Sequence, residues 1–96
     1  MVLVFISHAH EDGDFATRIA KQLDDSGINT WIDKDKLRLG QNWGKEIESA
    51  LKQATHMVLL LSNAALDSMF VQAEWQYFFK MKRDIFTIVI EPCEIP

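Results

Sequence analysis

Residues 59–79 read LLLSNAALDSMFVQAEWQYFF: an apolar run, a polar turn, and then a segment in which one carboxylate stands among aromatic side chains. That carboxylate is Glu74. On an ideal helix it has Phe70 and Val71 one turn back and Tyr77 and Phe78 one turn on. A carboxylate so surrounded either points outward past its neighbours or forms part of a pocket wall. The apolar run predicts a buried strand over residues 57–62 and the aromatic segment a helix, with residues 63–68 as the turn between them and Asp67 or Ser68 as the helix cap.

Working outward, the same strand-then-helix unit recurs along the chain. Residues 2–7, VLVFIS, are a β-branched and aromatic run expected of a strand buried on both faces. A polar loop, HAHEDGD, follows, and Asp12 or Asp14 is placed to cap a helix on which Phe15, Ile19 and Leu23 recur at i, i+4 and i+8. Ser26 and Gly27 stop that helix. Residues 28–33, INTWID, form a second strand, and residues 33–42, DKDKLRLGQN, a charged loop with Leu37 and Leu39 inside it. Trp43, Ile47, Ala50, Leu51 and Ala54 share one face of a second helix starting near Asn42. Lys80, Lys82 and Arg83 suit the carboxyl end of the helix bearing Glu74, and residues 85–91, IFTIVIE, are a fourth strand.

This β-α alternation predicts an α/β fold, a flavodoxin-like open parallel sheet in the order 2-1-3-4 with helices on both faces. In such sheets ligands bind beyond the carboxyl ends of the strands, where the winding reverses. Here that point lies between strands one and three, at residues 7–10 and 62–63. Glu74 sits on the helix that leaves the second of these ends.

Composition narrows the function classes. Ninety-six residues, 48% of them apolar, make one domain, which buries roughly 60 to 65% of the surface its unfolded chain exposes. A net charge of -4 with ten scattered basic residues gives no basic stripe, so nucleic acid is not an expected partner. The longest apolar run, residues 57–61, falls far short of the roughly 20 residues of a membrane helix, and residues 1–7 lack a basic leader. The single cysteine, Cys93, can form no internal disulfide, which fits a reducing compartment. We therefore read the protein as cytoplasmic. His8, His10, Glu11 and Asp12 lack a partner motif such as H-E-x-x-H, so they are read as solvated loop and pocket rim with no metal. Trp31 and Trp75 are read as core or interface anchors.

Several motifs together resemble the Toll/interleukin-1 receptor (TIR) domain family. VFISHAHED resembles its first motif, WIDKDKLRLGQNW its BB loop after strand two, and VLLLSNAALDSMFVQAE its third strand and following helix. The likeness runs from about residue 4 to residue 91. Many TIR domains hydrolyse NAD to nicotinamide and ADP-ribose or a cyclised form, using a glutamate on the helix after strand three in a pattern like S-x-W-x-x-x-E. Ser68, Phe70 and Glu74 match that pattern, with phenylalanine where the family has tryptophan. The resemblance thus implies an NAD glycohydrolase of immune or defence signalling, activated by self-association, with Glu74 catalytic and NAD as substrate rather than cofactor. It makes Ser7, His8, Lys34, Arg38, Trp43 and Phe70 candidates to hold NAD, and Leu37, Leu39 and Gly40 candidates for contact with other TIR domains. A complete TIR domain has a fifth strand and a last helix, so the resemblance also implies that residues 1–96 are a shortened domain or a piece of a larger protein.

The rival reading is a non-catalytic TIR adaptor that signals only through TIR–TIR contact; the presence of Glu74 favours the enzyme. A response-regulator receiver shares the sheet order but needs an aspartate ending strand three, where this chain has Ser62 and Asn63. Nucleoside deoxyribosyltransferases, which also cleave N-glycosidic bonds with a glutamate, are a more distant comparison.

Overall fold

Backbone pairing in the computed structural model, which describes residues 1–32 and 45–93, joins four parallel strands in the order β2-β1-β3-β4. The strands are β1 (Leu3–Ser7), β2 (Asn29–Ile32), β3 (His56–Leu61) and β4 (Asp84–Val89). The helices are α1 (Gly13–Asp25), α2 (Lys45–Gln53), α3 (Asn63–Asp67) and α4 (Met69–Lys80), with a 3-10 turn over His10–Asp12 leading into α1. The expected order is therefore the observed one. Ser7 is opposite Leu59 in the β1–β3 register, so β3 runs two residues beyond the end of β1.

Strand alternation sends side chains to two faces, and each face has its own helices. Val4, Ile6, Val58 and Leu60 pack against Ala16 and Ala20 of α1, with Phe15, Ile19 and Leu23 at the margin. On the opposite face Phe5 and Met57 meet Ala50 and Leu51 of α2 and Phe78 of α4, while Leu59 and Leu61 meet Ala65 of α3 and Val71 of α4. Phe5, Ile6, Met57 and Leu60 have no exposed surface, each contributing about 1.5–3 kcal/mol of burial. Trp31 lies half-buried and stacks on Phe5 with ring centroids 4.9 Å apart, and half-buried Trp75 packs on the same core, both as anchors. Among the described residues β4 is paired on one side only, and Phe86 and Val89 on it are about half exposed.

The helix ends follow local chemistry. Gly27, at φ 83°, closes α1 in a Schellman arrangement: its N–H donates to the Asp24 carbonyl and that of Ile28 to the Leu23 carbonyl. The same two bonds close α4, from Lys82 to Phe79 and from Arg83 to Phe78, but there the left-handed position, φ 56°, holds Lys82. Three sequence expectations are corrected here. Residues 63–67 form α3 rather than a turn, because the Ser62 hydroxyl accepts the Ala65 N–H and an Ala-Ala-Leu run favours helix. Asp12 stands at the start of α1 without capping it; its carboxyl is bound to Ser62 instead. The Arg83 side chain is engaged at the carboxyl end of α2 rather than of α4, its Nη1 donating to the carbonyls of Leu51 at 2.7 Å and Ala54 at 3.1 Å, while its backbone N–H closes α4.

Candidate active site

Among the described residues the buried polar side chains are Ser7, His8, Ser62 and Glu74, and all four lie at or above the carboxyl ends of β1 and β3. Elsewhere the core is apolar. Removing polar groups from water is costly unless they are hydrogen-bonded, so their gathering at one end of the sheet makes that end the candidate site. It is also the end at which open parallel sheets bind ligands.

Each group arrives there for a local reason. Ser7 is the last residue of β1 and follows the alternation that sends Phe5 toward α2 and α4. Glu74 comes from the core-facing side of α4, flanked by Val71 and Phe78, both buried. The Ser68 hydroxyl accepts the Val71 N–H and fixes where that helix begins, which resolves the expected choice between Asp67 and Ser68. Ser7 Oγ donates to Glu74 Oε1 at 2.7 Å, joining residues 67 apart in sequence. Glu74 has no exposed surface. Of the two orientations open to it on sequence, the inward one is observed.

Around this pair the strand ends are laced together. Ser62 Oγ donates to Asp12 Oδ2 at 2.5 Å, tying the turn after β1 to the end of β3. The Asn63 N–H donates to Glu91 Oε1 at 2.8 Å, and the Ile90 N–H to the Leu61 carbonyl at 3.0 Å, adding the segment after β4. Gln72 Nε2 donates to the Leu66 carbonyl, holding α4 to α3. Hollows of about 400 and 500 Å³ open elsewhere, one beside Leu3 and α2 and one between α1 and β2, and neither touches Glu74.

The sequence-selected residues divide accordingly. Ser7, His8 and Glu74 lie at the same end of the sheet, with Ser7 bonded directly to Glu74. His8, read as part of a solvated rim, is instead only 3% exposed, because it follows directly on a buried strand and precedes buried Ala9; His10 is exposed as expected. Phe70 is 39% exposed, one helical turn before Glu74. Lys34, Arg38 and Trp43, and the proposed contact residues Leu37, Leu39 and Gly40, lie outside the described residues. Ser62, which topology puts at the same end of the sheet as Ser7, His8 and Glu74, is tied there by its bond to Asp12; a serine ending an apolar strand is its signal in the sequence. No helix among the described residues is long and apolar enough to cross a membrane.

A family model described as the TIR domain matches residues 4–96. Over 73 residues, 75% of this chain, the sequence is 37% identical to the NAD(+) hydrolase TcpA of Theionarchaea archaeon, of which it covers 21%. It is 33% identical, again over 73 residues, to the 2' cyclic ADP-D-ribose synthase AbTIR of Acinetobacter baumannii, of which it covers 25%. The chain thus spans no more than a quarter of the length of these relatives. The crystal structure of the TIR domain of the Toll-related receptor TRR-2 from Hydra magnipapillata superposes with a TM-score of 0.80 at 21% identity, over 97% of this chain and 74% of that one.

Proposed function

The chain belongs to the TIR domain family, and from that premise we propose that it acts as an NAD glycohydrolase, cleaving the bond between nicotinamide and ribose with Glu74 as the catalytic carboxyl group. The observation that carries this reading is the placement of Glu74: wholly buried at the carboxyl end of the sheet and held there by Ser7. The names of the two relatives, an NAD(+) hydrolase and a cyclic ADP-ribose synthase, support the same substrate.

The chemistry asks little of the protein beyond such a group. Nicotinamide leaves a pyridinium as a neutral base, so its departure needs no general acid. Positive charge then develops on the ribosyl ring, in a transition state like that of glycoside cleavage. A carboxylate beside the ring holds its hydroxyls and offsets that charge, and losing a stabiliser of this kind costs on the order of 10²- to 10³-fold in rate. Attack by water gives ADP-ribose; attack by a hydroxyl of the same molecule gives a cyclised product. Phe70, half-exposed beside Glu74, offers a ring to the substrate, and on sequence grounds Lys34 and Arg38 are assigned to the pyrophosphate and Trp43 to the nucleotide.

In this conformation the Glu74 side chain has no exposed surface, so the groups that cover it must part before a ribose can reach it. That opening is the step we assign to self-association, through Leu37, Leu39 and Gly40, in an immune or defence signal. A domain that is closed alone and opened by its neighbours hydrolyses NAD only where it is concentrated.

The test is nicotinamide release from NAD, measured over a range of protein concentrations and with copies tethered on a support. Release per chain rises with concentration in the native protein. Glu74→Gln, which keeps the side-chain volume, and Glu74→Ala both lower it by about 100-fold or more. Equal release from native and variant chains would remove Glu74 from the reaction. No release from tethered native protein would favour the adaptor role.

A further inference from the structure

We infer that Ser7 is a positioning residue for Glu74, setting the plane and reach of its carboxyl group rather than touching the substrate itself. This rests on the reaction proposed at Glu74. The family resemblance makes Ser7 a candidate substrate contact, whereas its bond to Glu74 favours a positioning role. Its hydroxyl has one hydrogen, and that hydrogen is committed to Glu74 Oε1 at 2.7 Å. Its side chain has no exposed surface.

The need for such a residue follows from how Glu74 is held. Helix α4 fixes its Cα, and the Ser68 cap fixes where the helix starts, but three side-chain torsions separate the backbone from the carboxyl oxygens. Rotation about them carries the oxygens by more than the roughly 0.5 Å within which a catalytic group must be kept. Packing by Val71 and Phe78 restricts the stem but is indifferent to the orientation of the carboxyl plane. A directional bond at one oxygen sets that plane.

Ser7 supplies the bond from the stiffest available part of the molecule. It ends β1, a strand paired on both sides with β2 and β3, and its preceding neighbours Phe5 and Ile6 have no exposed surface. The short serine side chain has one torsion before its oxygen, so little freedom intervenes between the sheet and Glu74. The catalytic carboxyl is thereby referenced to the sheet as well as to its own helix. A threonine keeps the hydroxyl; an alanine removes it and leaves the rest of the strand intact.

Acting through another residue has a kinetic signature that substrate contact and simple loss of stability do not share. The experiment measures kcat and KM for nicotinamide release from NAD by native protein, Ser7→Ala, Ser7→Thr, Glu74→Gln and the double variant Ser7→Ala/Glu74→Gln, with a melting temperature for each. Ser7→Ala is expected to lower kcat by about 10- to 100-fold while KM stays within about twofold. Ser7→Thr is expected to recover most of that loss. Adding Ser7→Ala to Glu74→Gln should change the residual rate by less than about threefold, since the carboxylate it positions is already gone. Should threonine fit poorly, shown by a lowered melting temperature, this last comparison still decides. A raised KM with unchanged kcat, or losses that multiply in the double variant, would overturn the inference and return Ser7 to direct substrate contact. An unchanged Ser7→Ala would overturn it outright. Native release undiminished by Glu74→Gln, or no native release at all, is the separate outcome that defeats the reaction assigned to Glu74 and this inference with it.

Discussion

Replacing Arg83 by methionine should unfasten α2 from the rest of the domain. The two carbonyls that Arg83 engages, those of Leu51 and Ala54, belong to the last turn of α2 and the residue after it, where no helical N–H remains to satisfy them. Its guanidinium also lies 5.6 Å from the centre of the Phe78 ring. Two hydrogen bonds from a charged donor at a half-exposed position contribute about 1 kcal/mol each. The positive charge at the negative end of a helix adds roughly 0.3–1 kcal/mol and the ring contact roughly 0.5–1 kcal/mol. Methionine keeps most of the stem's packing and loses all of these, so the expected cost is about 3–4 kcal/mol. For a domain of this size that lowers the melting temperature by about 12–30 °C. Lysine retains the charge but not the forked geometry and should lose roughly half as much. Urea and thermal unfolding followed by circular dichroism measure both variants. A loss below about 0.5 kcal/mol for methionine, with an unchanged dependence on urea, would show that α2 is held by its apolar face alone. Because Arg83 lies at the amino-terminal edge of the sheet, nicotinamide release per folded molecule should stay within about twofold of native.

Two further outcomes concern the ends of the helix that bears Glu74. Lys82 occupies a left-handed backbone position, so Lys82→Gly should raise stability by about 0.5–1 kcal/mol in urea unfolding; a loss would mean that the added freedom of the unfolded chain outweighs the relief. Ser68→Ala removes the hydroxyl that accepts the Val71 N–H and should cost about 1 kcal/mol, and amide exchange should quicken in the first turn of α4 before it does in β3. Uniform quickening across the domain would argue against a local cap.

Much of the architecture was legible because it is written in local pattern. Residues 2–7 and 57–62 are continuous apolar runs of strand length, and Phe15, Ile19 and Leu23 carry the helical period. Gly27 and Ser68 stand where a left-handed residue and a cap are needed. From the alternation the sheet order followed, and from the order the placement of Ser7 and the helix bearing Glu74 at one end of the sheet. What misled was equally local in appearance: residues 63–68 are rich in turn formers, yet Ser62 and Ser68 are two successive caps with a short helix between them.

The sequence by itself thus determined the strand order and the placement of Glu74 on the helix leaving β3, since these depend on periodicity and spacing. It left open whether Glu74 turned outward or inward. Only the tertiary structure decided that, together with the contact to Ser7, the burial of His8, the bond between Ser62 and Asp12 and the reach of Arg83 across to α2. Each of those pairs residues far apart in the chain or depends on what covers a side chain. They are set by strand register, helix rotation and side-chain torsions acting together, and none of these leaves a periodic trace along a single sequence.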